Sequence, residues 1–379
     1  MTIPAGRARR IRVLVVDDSP LAVEMVRRML AGSPEIEVAG SAANGAQALE
    51  LIPNLRPDVI VTDLHMPGMG GLELMQEVMQ RHPLPVLVLS QSVQAGQTDN
   101  IFRMIEAGAL DVVAKPRGGL DTDFDATARD LARKVRVAAG VVVIRRHARA
   151  SDGNAAAAAR EVPAAPLIIA TAAPRIIGIG ASTGGPQAFQ SVLGALPADF
   201  ALPLVCVQHI AEGFMQGLVD WLAKLCRIRV RTAVEGTAPL AGNAYFAPDC
   251  RHLAIDDAGR FQCPEAHPNV DHRPSVDLAL GSLARCYGNG ALGVLLTGMG
   301  GDGVQGLLAI SRAGGLTIAQ DEQSSIVYGM PKRAAEAGAA RHVLPLDRIA
   351  PALIDIAAET APDRDANGKP REGKSSWPR

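Results

Sequence analysis

Apolar and polar positions along this chain alternate in two blocks, divided by a stretch with no periodicity. In the first block, short apolar runs predict strands over Ile11–Val16, Ile36–Gly40, Val59–Thr62, Val86–Leu89 and Asp111–Ala114. Between them, Leu21–Leu30 places apolar residues at helical spacing, and Gln47–Leu51 reads as helix as well. Strand and helix alternating five times over residues 11–138 predict an α/β domain with a five-stranded, doubly wound parallel sheet. The pattern then dissolves. Residues 139–173 are rich in Ala and Pro, including the run Ala155–Ala159, and offer no core face, so they are expected to be a linker.

Alternation resumes over residues 174–358, with strands expected at Arg175–Ile179, Leu204–Gln208, Ile228–Arg231, Leu292–Leu296 and Thr317–Gln320. A second doubly wound parallel sheet is the expected architecture. The segment Tyr245–Phe261 instead predicts an inserted hairpin, turning at Asp256-Asp257-Ala258-Gly259. Residues 1–10 form a short N-terminal extension, and residues 359–379 a polar tail expected to be disordered.

Composition narrows the class. The chain has 379 residues, long enough for two cores. Its formal net charge of -1 gives no electrostatic reason to expect nucleic acid or a membrane surface as partner. Five cysteines without a C-x-x-C pair favour reduced thiols in a cytoplasm over a disulfide framework. The apolar run after the basic N-terminus stops at Asp17-Asp18, too short for a signal peptide, and no run approaches the about 18 residues of a membrane span.

Three acids stand just past predicted strand ends in the first block: Asp17 and Asp18 after the first strand, Asp63 after the third. Parallel strands bring those carboxyl ends side by side, where ligands bind. Clustered carboxylates repel one another unless a cation lies among them, and an all-oxygen donor set suits Mg2+. Ser90 ends the fourth strand and Lys115 the fifth. A hydroxyl and an ammonium beside a metal-bound carboxylate suit a phosphoryl group on that carboxylate. The competing reading is that such acids merely cap helices.

In the second block an apolar strand feeds Gly180-Ala181-Ser182-Thr183-Gly184, a G-x-S-x-G turn into a helix. Glycines allow a sharp turn that exposes the Ser182 hydroxyl, and the helix N-terminus behind it favours developing negative charge. Glycine-rich turns of this kind also bind dinucleotides. The spacing here is not G-x-G-x-x-G, however, and Gln208-His209, not an acid, closes the next strand. His209 thereby shares the serine's sheet edge and can act as general base. Cys206 is expected on the opposite side of that strand, which disfavours a Cys/His metal pair. The acid that orients the imidazole is expected in Thr297-Gly-Met-Gly-Gly-Asp302-Gly303, whose glycines also expose amides suited to an oxyanion hole. Asp277 is expected to be a solvated surface acid.

Residues 11 to about 135 resemble a two-component receiver domain, of flavodoxin-like fold. Residues 175 to about 357 resemble the catalytic domain of the chemotaxis protein-glutamate methylesterase (CheB) family. The latter rests on Gly180–Gly185, Val207–Ile210, His272–Asp277, Thr297–Gly303, Gln320–Ser325 and Tyr328–Pro331. The resemblance implies Asp63 as phosphoacceptor, Asp17 and Asp18 as helpers in holding Mg2+, and Ser90 and Lys115 as switch residues. Ser182 is implied as nucleophile, His209 as base, Asp302 as orienter, the Met299 amide as an oxyanion donor and Thr183 as a lining residue. It further implies hydrolysis of glutamyl methyl esters, and deamidation of some glutamines, on chemoreceptors, with a sensor histidine kinase as phosphodonor and no cofactor for the esterase. Two departures stand out: Val112 occupies a position three before the lysine where receivers often carry an aromatic, and the linker is long. Against this reading stand a non-enzymatic, phosphorylation-dependent adaptor and a dinucleotide-binding domain.

Overall fold

The computed structural model describes residues 9–90, 98–115, 123–141, 173–265 and 273–360. The expected linker and tail thus lie almost wholly outside the described residues.

The first block folds as β1 (Ile11–Val16), α1 (Pro20–Ala31), β2 (Ile36–Ala42), α2 (Gly45–Leu55), β3 (Val59–Thr62), α3 (Gly71–Arg81), β4 (Val86–Ser90), α4 (Thr98–Glu106), β5 (Asp111–Ala114) and α5 (Asp123–Ala138). All five strands are parallel, in the order β2-β1-β3-β4-β5. Chain direction across the sheet reverses between β1 and β3, the crevice where doubly wound sheets bind ligands. Local sequence sets the helix starts. Ser19 caps α1 by accepting from the Ala22 amide (3.3 Å), with Pro20 in the first turn. Asn44 caps α2 by accepting from the Gln47 amide (3.0 Å). Val26, Met29 and Leu30 of α1 then bury one helical face against Val13 and Val15 of β1.

The second block runs β6 (Ile176–Ala181), α6 (Gly185–Ala195), β7 (Leu204–Gln208), α7 (Met215–Leu225), β8 (Arg229–Thr232) and β9 (Asn243–Phe246). A small hairpin, β10 (Ala254–Ile255) and β11 (Phe261–Gln262), precedes α8 (Val276–Tyr287) and β12 (Ala291–Leu295). The chain ends with α9 (Val304–Arg312), β13 (Leu316–Gln320), α10 (Met330–Glu336), β14 (His342–Leu344) and α11 (Leu346–Thr360). Seven parallel strands lie in the order β14-β13-β12-β6-β7-β9-β8. The reversal point here is β6, with β7 on one side and β12 on the other. At one outer edge, β8 turns Arg229 and Arg231 to solvent, which blunts strand pairing with other chains.

The hairpin expectation needs correction. Asn243–Phe246 is a fully buried strand of the main sheet, parallel to β7 and β8, and only residues 254–262 form the hairpin. The turn at 256–259 stands as expected, closed by the Asp256 amide donating to the Arg260 carbonyl. Tyr245 and Phe246 face different clusters on the two sides of the sheet, the pattern of a central strand, not of an exposed ribbon.

The two blocks pack on each other. Phe102 of α4 stacks on Trp221 of α7, centroids 5.4 Å apart and planes 21° from parallel. Gln187 of α6 donates from Nε2 to the Ala109 carbonyl (2.7 Å), and Ile326 packs against the cluster beneath α5. A stacked pair of this kind contributes about 0.5–1.5 kcal/mol beyond its buried area.

Candidate functional site

Each sheet carries a group of polar side chains at its reversal point. In the first, Asp17 and Asp18 follow β1 and Asp63 follows β3, and one carboxylate oxygen from each lies within 4.8 Å of the others. Lys115, past the end of β5, reaches into the group, donating from Nζ to Asp17 (2.7 Å) and lying 3.2 Å from Asp63. Ser90, buried at the end of β4, accepts the Lys115 amide at its carbonyl (2.7 Å). Burial pushes the Asp63 carboxyl up from its ordinary value and the Asp17 charge adds to this, against the pull of Lys115 and the Leu64 amide. Three acids with one intervening ammonium make an all-oxygen donor set with charge to spare, which fits a hard divalent cation. Asp17, Asp18, Asp63 and Lys115 are brought together, and Ser90 joins them through its backbone bond to Lys115. Val112 is part of the core, and its carbonyl accepts from Lys134 Nζ (2.7 Å).

In the second sheet, register sets the geometry. Ala181 of β6 pairs with Gln208 of β7, so Ser182 and His209 emerge side by side from strands about 4.8 Å apart. The His209 amide donates to the Ala181 carbonyl and the Ser182 amide to the Thr297 carbonyl, both at 3.0 Å. Gln208 clips the pair from beneath, donating from Nε2 to the carbonyls of Ser182 and His209, each at 2.8 Å.

The glycines before the serine serve a purpose other than a turn. A Cβ on Gly178 would lie 2.4 Å from Leu280, and one on Gly180 would lie 2.2 Å from Val276. Their absence lets α8 lie flush on the sheet, with its N-terminus beside β6. The turn itself falls to Gly184, whose φ of 78° is a left-handed conformation. Gly298 abuts Ser182: a Cβ there would lie 2.7 Å from the Ser182 Cβ.

Asp302, after β12, meets His209 with 2.8 Å between Oδ2 and Nε2. The same oxygen accepts from the Val276 amide (2.7 Å), while Oδ1 accepts from the Asp277 amide (2.9 Å) and the Ser275 hydroxyl (3.0 Å). Both oxygens are saturated at the N-terminus of α8. Burial alone would raise this carboxyl, but the His209 hydrogen bond and charge, with the Asp277 and Val276 amides, hold it well below the usual range. Behind Ser275, His252 accepts the Ser275 amide at Nδ1 (3.1 Å), and burial lowers its affinity for a proton.

Neither Cys206 nor Cys226 is an activated thiol. Burial pushes the Cys206 thiol far up and that of Cys226 to about 11, the reverse of an activated cysteine. Cys206 lies in the cluster that holds Phe189 and Phe214, whereas Val205 and Val207 face the other cluster, as strand alternation required.

Asp277 is not the solvated acid expected. Its Oδ1 accepts from the Gly306 amide (2.7 Å), and its carboxyl is pushed up, by burial first and by the Asp302 charge as well. Asp111 was unexpected too: its Oδ2 accepts from the Thr183 hydroxyl (2.9 Å), next in sequence to Ser182, and Lys134 lies 3.2 Å from its Oδ1. Ser275 opening an apolar helical run was a visible capping signal; no local signal marked Asp111. Ser182 and Thr183 are both buried.

Residues 177–353 match the family model described as CheB methylesterase, and residues 13–121 match the response regulator receiver domain. A protein-glutamate methylesterase/protein-glutamine glutaminase of Nitrosospira multiformis is 40% identical over 349 residues, covering 92% of this chain and 98% of that one. Another so named, from Anaeromyxobacter dehalogenans, is 43% identical over 353 residues, covering 93% and 98%. The crystal structure of the Thermotoga maritima CheB methylesterase catalytic domain is 35% identical, with a TM-score of 0.47, covering 49% of this chain and 100% of that chain. Two parallel α/β domains in this order, and near end-to-end likeness to such relatives, place the chain in the CheB family of receiver-linked methylesterases.

Proposed function

We propose that the chain hydrolyses γ-glutamyl methyl esters, and deamidates glutamines, on chemoreceptors, through Ser182, His209 and Asp302, and that phosphorylation of Asp63 raises the rate. The carrying observation is the 2.8 Å contact from Asp302 to His209, at the strand end next to that of Ser182. Because Nε2 faces the carboxylate, the neutral imidazole carries its proton there and leaves the Nδ1 lone pair for Ser182.

Ser182 Oγ attacks the ester carbonyl as His209 Nδ1 takes its proton. The oxyanion is held by the Met299 amide, which has no other acceptor among the described residues, beside the N-terminus of α6. Collapse expels methanol, which leaves with the proton from His209. Water, deprotonated by His209, then attacks the acyl-enzyme and releases the glutamate carboxylate and Ser182. With glutamine the leaving group is ammonia. Asp302 stays ionised throughout and holds the ring.

Mg2+ would be held by Asp17, Asp18 and Asp63, where it supplies charge neutralisation for phosphoryl transfer from a sensor kinase. Lys115 and Ser90 would take the new phosphoryl oxygens. Lys115 lies just beyond one end of β5 and Asp111, the acceptor of the Thr183 hydroxyl, at the other. Phosphorylation would act by a pull on this short strand that reaches the Thr183 contact, next to Ser182. We place the chain in the cytoplasm, where that phosphodonor would reach it; among the described residues no helix is long and apolar enough to cross a membrane.

The test is methanol release from methylated receptor, with and without phosphodonor, for wild type and Ser182→Ala. Release that needs Ser182 and rises with phosphodonor is expected. A folded wild type that releases none would sink the hydrolase reading in favour of an adaptor.

A further inference from the structure

The loop from Gly298 to Gly303 holds four glycines, with φ of 93° at Gly300 and 94° at Gly303. Glycine loses more backbone freedom on ordering than any other residue, so this is the segment of the site least able to hold itself still. Yet it carries both Asp302 and the Met299 amide. Something outside it must fix it.

Helices α8 and α9 exchange caps across this loop. Helix α9 starts behind Gly303, which has no side chain to cap it. Asp277, in the first turn of α8, supplies the acceptor from outside: its Oδ1 takes the Gly306 amide at 2.7 Å. In return Asp302, one residue before that glycine, takes the Val276 and Asp277 amides that open α8, at 2.7 and 2.9 Å. Each acid sits on the other's helix, so the charge of each meets the favourable end of a helix dipole. The exchange needs close approach. A Cβ on Gly306 would lie 3.0 Å from the Asp277 carbonyl oxygen and 2.6 Å from the Leu280 Cβ.

Resting on the triad reading above, we propose that Asp277 is a positioning residue of the esterase. Its side chain anchors the start of α9 and thereby the glycine loop. Its amide holds the Asp302 carboxylate at the angle His209 needs. Orienter and oxyanion donor are thus set by one clamp, and loosening it costs turnover with little change in how substrate binds.

The test uses the full chain with phosphodonor, methylated receptor, and steady-state methanol release at a temperature where each variant is folded by thermal scan. Asp277→Ala removes the acceptor and is expected to lower kcat about tenfold, with KM changed less than about twofold. Asp277→Asn keeps an oxygen for the Gly306 amide and is expected to recover most of that loss. Gly306→Ala, which forces the helices apart while leaving Asp277 intact, is expected to reproduce it. Should Asp277→Ala fail to fold, the other two variants decide. Wild-type kcat in folded Asp277→Ala or Gly306→Ala, a loss confined to KM, or an Asn variant no better than the Ala variant overturns the proposal. No release from wild type overturns the hydrolase reading instead, and this inference with it.

Discussion

The two sheets put carboxylates at equivalent places, the reversal point of a parallel sheet, and treat them oppositely. At the first, two of three clustered acids share one lysine; the Asp63 side chain keeps 16% of its surface exposed and its carboxyl is pushed up. At the second, one acid has four donors; the Asp302 side chain keeps 3% and its carboxyl is held down. The lesson is that topology chooses the location and local donors choose the chemistry. An under-satisfied carboxylate is available to be ligated or modified, whereas a saturated one can only orient its neighbour.

That contrast can be broken most severely at Asp302. Asp302→Ala is expected to lower kcat about a thousand- to ten-thousandfold, as for other lost triad acids. It also leaves the Val276 and Asp277 amides without their acceptor, costing about 1–3 kcal/mol in urea unfolding. Asp63→Asn bears on the other sheet: the ratio of rates with and without phosphodonor should fall to about one. A ratio still well above one would mean that phosphorylation acts elsewhere. Phe102→Ala removes the stack on Trp221 and weakens docking without touching either carboxylate. The unstimulated rate should rise about three- to tenfold; an unchanged rate would show that this contact does not restrain the esterase.

The smallest effect expected is in stability against pH, where the two acids should differ in sign. Asp302 has a folded-state pKa below its unfolded one, so its contribution is complete above the unfolded value and is lost as pH falls toward the folded one. Asp63 is raised, so its contribution is present below its unfolded value and is lost as pH rises through the folded one. At neutral pH, Asp63→Asn should therefore raise the thermal midpoint, and Mg2+ should do the same for wild type by binding the folded form. A midpoint lowered by Asp63→Asn would contradict the raised carboxyl.

Much of this was legible in the chain. The predicted Leu204–Gln208 coincides with β7, and Ile11–Val16 with β1, because buried parallel strands are short apolar runs with polar stops. What escaped was non-local. Asn243–Phe246 has the composition of a hairpin arm, and only its parallel neighbours make it a sheet strand. Strand β14 has three residues, too few to show a period. Asp277 reads as a solvated helix acid until α9 arrives with the Gly306 amide. The bond from Thr183 to Asp111 joins residues from two domains, and no spacing rule connects them. Family motifs supplied the roles proposed for Ser182, His209 and Asp302; the bonds that hold those residues came from packing.

The stack of Phe102 on Trp221 has a practical consequence. Of the chain's two tryptophans, Trp221 and Trp377, the first has its ring sealed between the domains. Indole emission shifts to the red when water reaches it, so separation of the domains carries an intrinsic optical signal. In a Trp377→Phe background, ultraviolet-excited emission alone could follow the receiver lifting and settling in real time, with no attached dye.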